Sequence, residues 1–230
     1  YHRTGISSLT AIDGVLAATA KTDLLEFKGF LTHAGHSYDC RSQEEVLEVH
    51  RESIEKLAPL KENYRNEFPD LIVSVGDTPT CSVAEDFSEF DEMRPGNFVF
   101  FDLSQYQIGS CGLDQIAVAM ACPVVAIHKE RNELVVYGGG VHFSKERMTD
   151  GEGAIFGIAV EKTEDSWGDS VSGMFVKSLS QEHGILSVPV DRISDFKVGD
   201  ILMILPVHSC MTANLMKSYL TTSGRNISRL

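Results

Sequence analysis

Two short polar loops carry side chains suited to chemistry in the first half of the chain. The loop 32–38, Thr-His-Ala-Gly-His-Ser-Tyr, places two imidazoles and a phenol on one turn. It suits proton transfer or cofactor contact, although the same side chains also cap strand and helix ends. The turn 76–82, Gly-Asp-Thr-Pro-Thr-Cys-Ser, offers backbone N–H groups and hydroxyls that could hold one phosphate. Without a Walker lysine or a Gly-x-Gly-x-x-Gly pattern, it predicts neither a triphosphate nor a dinucleotide.

A histidine and a cysteine stand two residues apart in the segment 206–210, Pro-Val-His-Ser-Cys. On an extended strand, His208 and Cys210 would face the same side and could share one soft or borderline cation such as zinc. Two ligands would leave coordination positions for water or substrate, as a catalytic site requires. A buried cysteine beside a hydrogen-bonded histidine explains the same spacing without a metal.

Glu182 and His183 are adjacent and precede Gly184. The carboxylate could orient a histidine of a metal site from outside the coordination sphere. A solvated turn explains the same residues equally well, so both interpretations remain open.

The elements that must position these loops change in kind near the acidic stretch 85–92. Before it, periodicity predicts helices at about 8–21 and from 42 onward, alternating with strands at 24–32 and 71–75. Ser42 and Glu45 form a capping-box pattern, and Pro59 is expected to interrupt the second helix. Apolar strands alternating with helices indicate a parallel α/β sheet, which places functional loops at the carboxyl ends of its strands.

After Asn97 the helical period largely disappears, and a mostly antiparallel β part is predicted. We therefore expect an α/β domain at 1–92 and a β domain at 93–230. The strands predicted in the second domain are Phe98–Phe101, Ile116–Ile127, Leu134–Tyr137, Ile155–Val160, Met174–Ser178, Ile201–Leu205 and Asn214–Leu220.

Composition excludes several classes of protein. The chain has 230 residues, 43% of them hydrophobic and 23% charged, which excludes a disordered or fibrous protein. A net charge of −13 disfavours binding to nucleic acid. No apolar run approaches the roughly 20 residues of a membrane span, and no signal peptide is recognisable. Five scattered cysteines favour a reducing, cytoplasmic compartment.

The length of the α/β part poses a question about its architecture. It holds only two complete predicted strands, whereas a full (β/α)₈ barrel needs about 200 residues or more. Either this part is a small open sheet, or the sequence starts partway through a barrel. The absence of an initiator Met favours the second interpretation.

Five motifs occur in an order that resembles one family. They are His-Ala-Gly-His-Ser-Tyr at 33–38, Gly-Asp-Thr-Pro-Thr at 76–80, Arg-Pro-Gly-Asn-Phe-Val-Phe-Phe-Asp at 94–102, Gln-Glu-His-Gly at 181–184 and Pro-Val-His-Ser-Cys at 206–210. This series is similar to the D-serine dehydratase and D-threonine aldolase family of pyridoxal-phosphate enzymes, relatives of alanine racemase. The resemblance implies the C-terminal part of an alanine-racemase-type (β/α) barrel followed by a mostly antiparallel β domain, in an enzyme that is usually a homodimer.

The resemblance also implies roles for individual residues. Pyridoxal 5'-phosphate would be bound by Arg3, Tyr38, Gly76, Asp77 and Thr78. His36 would be the base for the substrate hydroxyl, as in the aldolases. His208 and Cys210 would hold a divalent metal, zinc or alternatively manganese, which assists departure of the β-hydroxyl in the dehydratases.

The resemblance leaves the reaction open. It implies a lyase acting on small D-3-hydroxy amino acids, with His36 favouring an aldolase and Cys210 favouring a dehydratase. An amino-acid racemase of the same fold is the alternative. The Arg-Pro-His-x-Lys-Thr-like segment that carries the Schiff-base lysine in this family is absent from the 230 residues, and neither Lys28 nor Lys145 fits that role. A catalytically inactive fragment is therefore a further alternative.

Overall fold

A computed structural model of the chain describes residues 4–150, 153–164 and 166–228. Arg3, expected to contact the cofactor, lies outside the described residues. The chain divides into two compact units, with the division between Gly96 and Asn97. The prediction of an α/β part followed by a mostly antiparallel β part is confirmed by these units.

The first unit is built around three parallel strands in the order β1-β2-β3. Register pairs Phe30 with Val73, and Val75 with Met93. Helices lie between the strands in sequence, as crossover connections between parallel strands require. The elements are α1 (Leu9–Thr19), β1 (Gly29–Leu31), α2 (Gln43–Tyr64), β2 (Ile72–Val75), α3 (Thr78–Val83) and β3 (Glu92–Met93), with a 3₁₀ turn at Gly35–Asp39.

Burial of apolar residues joins the helices of this unit to its sheet. Val73 and Val75 on β2 form one cluster with Leu57 and Tyr64 of α2 and with Ile12 of α1. Because these side chains come from three elements, their burial fixes how the helices lie against the strands. The carboxyl ends of β1 and β2 are thereby held side by side.

Two local predictions in the first unit are wrong. The strand expected at 24–32 is ordered as a strand only over Gly29–Leu31. Helix α2 does not stop at Pro59 but continues to Tyr64, because the burial of Leu57 and Tyr64 against the sheet outweighs the lost backbone hydrogen bond.

The capping box of α2 forms only in part. Ser42 Oγ accepts the N–H of Glu45 at 3.2 Å, as predicted. The Glu45 carboxylate, however, accepts the N–H of Arg41 at 2.6 Å, one residue before the cap.

The second unit is a closed barrel of six antiparallel strands in the order β10-β5-β4-β11-β8-β9, with β9 pairing back to β10. Its core consists of alternate inward-facing residues, among them Val124, Val136, Val176 and Leu186. The barrel strands are β4 (Met120–His128), β5 (Glu133–Tyr137), β8 (Gly157–Lys162), β9 (Trp167–Leu179), β10 (His183–Ser187) and β11 (Ile201–Pro206). Two short hairpins add β6 (Met148–Asp150) with β7 (Gly153–Ile155), and β12 (Ser218–Leu220) with β13 (Asn226–Ser228).

Three short helices interrupt this unit, and they correct two predicted strands. They are α4 (Leu103–Ile108), α5 (Gly140–Phe143) and α6 (Ser209–Leu215). The strand expected at Phe98–Phe101 is instead a 3₁₀ turn at Asn97–Val99 leading into α4. The strand expected at Asn214–Leu220 begins only at Ser218, because α6 occupies its first residues.

Within the part of the chain that the structure describes, no helix has the length and apolar character needed to cross a membrane.

Candidate functional site

The turn after β2 is organised by the side chain of Asp77. This residue is the N-cap of α3 and is 4% exposed. Its Oδ1 accepts the N–H of Thr80 at 2.9 Å and the hydroxyl of Ser37 at 2.7 Å, and its Oδ2 accepts the Thr80 hydroxyl at 2.7 Å. The carboxylate is therefore held inside the protein by three donors.

The two polar loops of the first unit are in direct contact. The Nδ1 atom of His33 is hydrogen-bonded to the carbonyl oxygen of Gly76, and Ser37 donates to Asp77. The ring of Tyr38 lies 6.2 Å from that of His33, between centroids. The structure thus brings Tyr38, Gly76 and Asp77 to one edge of the sheet, with Thr78 fully buried beside them.

His36 has different surroundings from the other residues of its loop. Its Nε2 lies 3.9 Å from Oε2 of Glu52 on α2, and the two side chains are 40% and 44% exposed. Of the two histidines of the loop, the one that contacts the Gly76 turn is His33. The sequence motif held both histidines, and only the structure distinguishes them.

Arg94 is a residue of this region for which no role was predicted from the sequence. Its Nε donates to Ser74 Oγ at 2.6 Å, and its Nη2 donates to the carbonyl oxygen of Thr32 at 2.8 Å. A Cβ added to Gly76 would lie 3.0 Å from Arg94 Nη1 and 2.9 Å from its Cβ. The guanidinium therefore packs directly on Gly76 and places a positive charge beside the turn. Its signal in the sequence was the Arg-Pro-Gly-Asn motif.

These residues fit the phosphate end of a cofactor. The turn carries hydroxyl and backbone N–H donors, its one acidic side chain is already satisfied internally, and a cation lies against its glycine. The segment expected to carry the Schiff-base lysine is not among the 230 residues.

In the second unit, His208 and Cys210 flank the start of α6. Strand β11 ends at Pro206, so the assumption of an extended strand through residue 210 is wrong. His208 is the N-cap residue of α6 and makes no capping bond with its own side chain. Cys210 lies in the first turn, where its S–H donates to Asn97 Oδ1 at 3.4 Å. Both side chains are half-buried, and they lie together at a helix start instead of along a strand.

A buried carboxylate lies next to this pair. Asp102 is 1% exposed, and its Oδ2 accepts the N–H of Ser209 at 3.0 Å and the amide N–H of Asn97 at 2.6 Å. Burial raises the pKa of Asp102, although its hydrogen bonds oppose that shift. Burial also raises the pKa of the Cys210 thiol, and the charge of Asp102 raises it further. Neither Asn97 nor Asp102 was predicted from the sequence to lie near Cys210.

An imidazole and a thiol are ligands suited to zinc. Among residues 4–150, 153–164 and 166–228, no group of three or more His, Cys, Asp or Glu side chains is arranged to hold a metal ion. The donor set of His208 and Cys210 therefore fits a metal site that keeps open positions, and does not fit a closed structural site.

A second group of titratable side chains surrounds Tyr137. Its ring lies 4.8 Å from that of His142 and 5.9 Å from that of His183. The N–H of Gly139 donates to His142 Nδ1 at 3.0 Å. Burial lowers the pKa of His142, and the nearby Glu182 carboxylate partly opposes this. Glu182 thus acts on His142 through its charge.

Comparison with known protein families finds one matching model. Residues 117–222 match the family described as "Putative serine dehydratase domain". The matched range includes the barrel strands of the second unit together with His208 and Cys210.

Curated relatives extend the similarity over nearly the whole chain. A D-serine dehydratase of Dictyostelium discoideum is 30% identical over 248 residues, which cover 98% of this chain and 59% of the relative. The chain thus spans about three fifths of the length of this relative.

Solved structures share the fold. D-threo-3-hydroxyaspartate dehydratase of Delftia sp. HT23 superposes with a TM-score of 0.86 at 27% identity, over 100% of this chain and 63% of that one. An alanine-racemase-like protein of Idiomarina loihiensis superposes with a TM-score of 0.83 at 31% identity, over 98% of this chain and 60% of that one. Two further structures of a D-threo-3-hydroxyaspartate dehydratase are a histidine-to-alanine mutant and a cysteine-to-alanine mutant, the latter in the metal-free form.

Proposed function

Because the chain is similar to a D-serine dehydratase over nearly its whole length and resembles an alanine-racemase-like protein in fold, we propose that it is part of a pyridoxal-phosphate-dependent lyase that dehydrates small D-3-hydroxy amino acids. With D-serine, the reaction loses water from Cα and Cβ and then hydrolyses the product to pyruvate and ammonia. The observation that carries the proposal is the similarity to a D-serine dehydratase over 98% of the chain.

When bound, pyridoxal phosphate supplies an electron sink for the bond broken at Cα, and zinc supplies a Lewis acid for the departing β-hydroxyl. We assign binding of the phosphate to the turn of Gly76, Asp77 and Thr78. In this assignment Asp77 acts through its backbone, because its carboxylate is occupied by Ser37 and Thr80. The charge of Arg94 against Gly76 offsets that of Asp77 beside the anion.

Tyr38 and Arg3 complete the proposed cofactor contacts. Support for Tyr38 comes from its position at the same sheet edge as the Gly76 turn, next to His33. The cofactor contact proposed for Arg3 rests on the family resemblance. His36 stays a proposed base, with Glu52 as the carboxylate that would orient its imidazole.

His208 and Cys210 are the proposed metal ligands, and zinc is the proposed metal. A thiolate prefers zinc to manganese, whose usual ligands are oxygens. The metal-free form of a cysteine-to-alanine mutant of a D-threo-3-hydroxyaspartate dehydratase supports a cysteine ligand here. The pair leaves positions open at which the substrate hydroxyl could bind.

Between the two lyases, we propose the dehydratase, because the relatives that align with most of the chain are named dehydratases. The working unit is proposed to be a cytoplasmic homodimer. The five cysteines, which are free thiols, support a reducing compartment.

The test is product analysis with the full-length protein. Incubated with pyridoxal phosphate and zinc, it is expected to form pyruvate and ammonia from D-serine and to leave L-serine unchanged. D-threonine is expected to give 2-oxobutyrate. Glycine with acetaldehyde from D-threonine would instead establish an aldolase, and interconversion of D- and L-serine without pyruvate would establish a racemase.

A further inference from the structure

The carboxylate of Asp102 has more partners than a helix cap requires. Its Oδ1 accepts the N–H of Gln105 at 2.9 Å, which is the ordinary capping bond of α4. Its Oδ2 accepts two further donors, the N–H of Ser209 at 3.0 Å and the amide N–H of Asn97 at 2.6 Å. Oδ1 thus caps the helix that Asp102 begins, and Oδ2 is hydrogen-bonded to a residue 107 positions away in sequence.

Both bonds to Oδ2 end beside Cys210. The Ser209 N–H is the first of α6, directly before Cys210 in the chain. The other end of the Asn97 amide, Oδ1, accepts the Cys210 S–H at 3.4 Å. Because an ionised carboxylate only accepts hydrogen bonds, Asp102 determines which end of the Asn97 amide faces the sulfur.

The backbone leading into Asp102 is strained. Phe101 has a φ of 48°, a left-handed conformation that is rare for an aromatic residue. Its carbonyl oxygen accepts the hydroxyl of Ser209. Such a conformation persists only where surrounding contacts stabilise it. Here one of these contacts, the hydrogen bond from Ser209, comes from the segment that carries His208 and Cys210.

We propose that Asp102 is the positioning residue of the His208–Cys210 pair, fixing the start of α6 directly and the Cys210 sulfur through Asn97. The inference rests on the proposed metal role of this pair. The side chain of His208 makes no capping bond, because the first N–H of α6 donates to Asp102 Oδ2 instead. A buried negative charge beside the pair also favours a bound cation.

The decisive variant is Asp102→Asn in the full-length protein. Asparagine is as good an N-cap as aspartate, so α4 keeps its cap. It has only one acceptor oxygen, however, and its NH₂ group would face a donor. In metal-free protein we expect Cys210 to react with iodoacetamide about 2- to 10-fold faster, measured by peptide mass spectrometry against Cys81 as internal reference. Zinc affinity is expected to fall roughly 10- to 100-fold.

Two further variants separate positioning from general packing. Ser104→Ala removes a 2.9 Å bond from the Ser104 hydroxyl to the carbonyl of Val207, between the same two segments, without touching Asn97 or Asp102. It is expected to leave alkylation and zinc affinity unchanged. Asn97→Ala removes the acceptor of the Cys210 S–H and is expected to accelerate alkylation of Cys210. If Asp102→Asn fails to fold, the alkylation rate in Asn97→Ala is the measurement that tests the proposal.

The proposal is overturned if Asp102→Asn matches the wild type in both measurements, or if Ser104→Ala changes them equally. The metal role has a separate criterion. If the wild type takes up no zinc, the proposed metal site fails, and the alkylation rate of Cys210 alone then decides whether Asp102 positions this side chain.

Discussion

At the residue scale, Gly76 is a position in the turn after β2 where a single added methyl group would be crowded by Arg94. A Cβ there would lie 2.9–3.0 Å from the side chain and backbone oxygen of Arg94. We expect Gly76→Ala to destabilise the protein by about 1–3 kcal/mol and to weaken binding of pyridoxal phosphate, because the turn or Arg94 must shift. Thermal unfolding and cofactor titration measure both effects.

Gly14→Ala is the matched control for this substitution. Gly14 lies inside α1 with nothing within 4 Å of the added Cβ. Alanine is therefore expected to raise stability by about 0.5–1 kcal/mol and to leave cofactor binding unchanged. Equal effects of the two substitutions would contradict a special role for position 76.

The proposed metal ligands, His208 and Cys210, support a second prediction at the residue scale. Replacing either ligand, in His208→Ala or Cys210→Ala, is expected to abolish stoichiometric zinc in full-length protein purified with zinc and dialysed. Metal content is measured by elemental analysis. Cys81→Ala, which removes another half-buried thiol, is the control and should retain zinc. Zinc retained in Cys210→Ala would exclude this cysteine as a ligand.

At the element scale, Pro59 lies exposed inside α2 and removes one backbone hydrogen bond from that helix. We expect Pro59→Ala to raise the free energy of unfolding by up to about 3 kcal/mol, measured by urea denaturation. Pro69, in the loop before β2, is the control. There alanine is expected to bring no gain, since a loop proline restricts the unfolded chain.

The end of α2 is joined to α1 by a hydrogen bond from the Tyr64 hydroxyl to Asp13 Oδ1 at 2.6 Å. This bond raises the pKa of Tyr64 to about 12. The folded state then holds a proton that the unfolded state releases near pH 10, so this contribution to stability is present below pH 10 and lost as pH rises toward 12.

Alkaline titration of tyrosine absorbance tests this assignment. Tyr64→Phe is expected to remove the component that ionises last, whereas Tyr106→Phe, at a residue that is 48% exposed, should leave it in place. Loss of the same component in Tyr106→Phe would contradict the assignment.

Long helices and strands could be predicted from the sequence, whereas short ones could not. The barrel strands β5 and β11 were predicted from their apolar runs, and α2 from its helical period and Ser42 cap. Helices α4 to α6 have four to seven residues, too few to show a helical period. The run Phe-Val-Phe-Phe at 98–101 has strand composition but forms a turn, because tertiary contacts override local propensity.

The candidate site was predictable where its residues are close in sequence. The Gly76 turn and the His208–Cys210 pair each lie within one short motif. Asp102 was not predictable as a partner of that pair, because it is 107 residues from Ser209 and the hydrogen bond between them forms only in the folded chain. His33 and His36 were indistinguishable in sequence, and only their different contacts separate them.

At the scale of the whole molecule, each unit carries one of the two proposed sites. The first holds the turn to which we assign the cofactor phosphate, and the second holds the two proposed metal ligands. The family resemblance stated from five motifs is confirmed by relatives aligned with nearly the whole chain.

The most direct test of the proposed reaction is the rate of pyruvate formation from D-serine by the full-length protein before and after zinc is removed with EDTA. We predict that the rate falls to background without zinc and returns when zinc alone is added back. An undiminished rate in protein that contains no zinc would contradict metal-assisted dehydration by this protein.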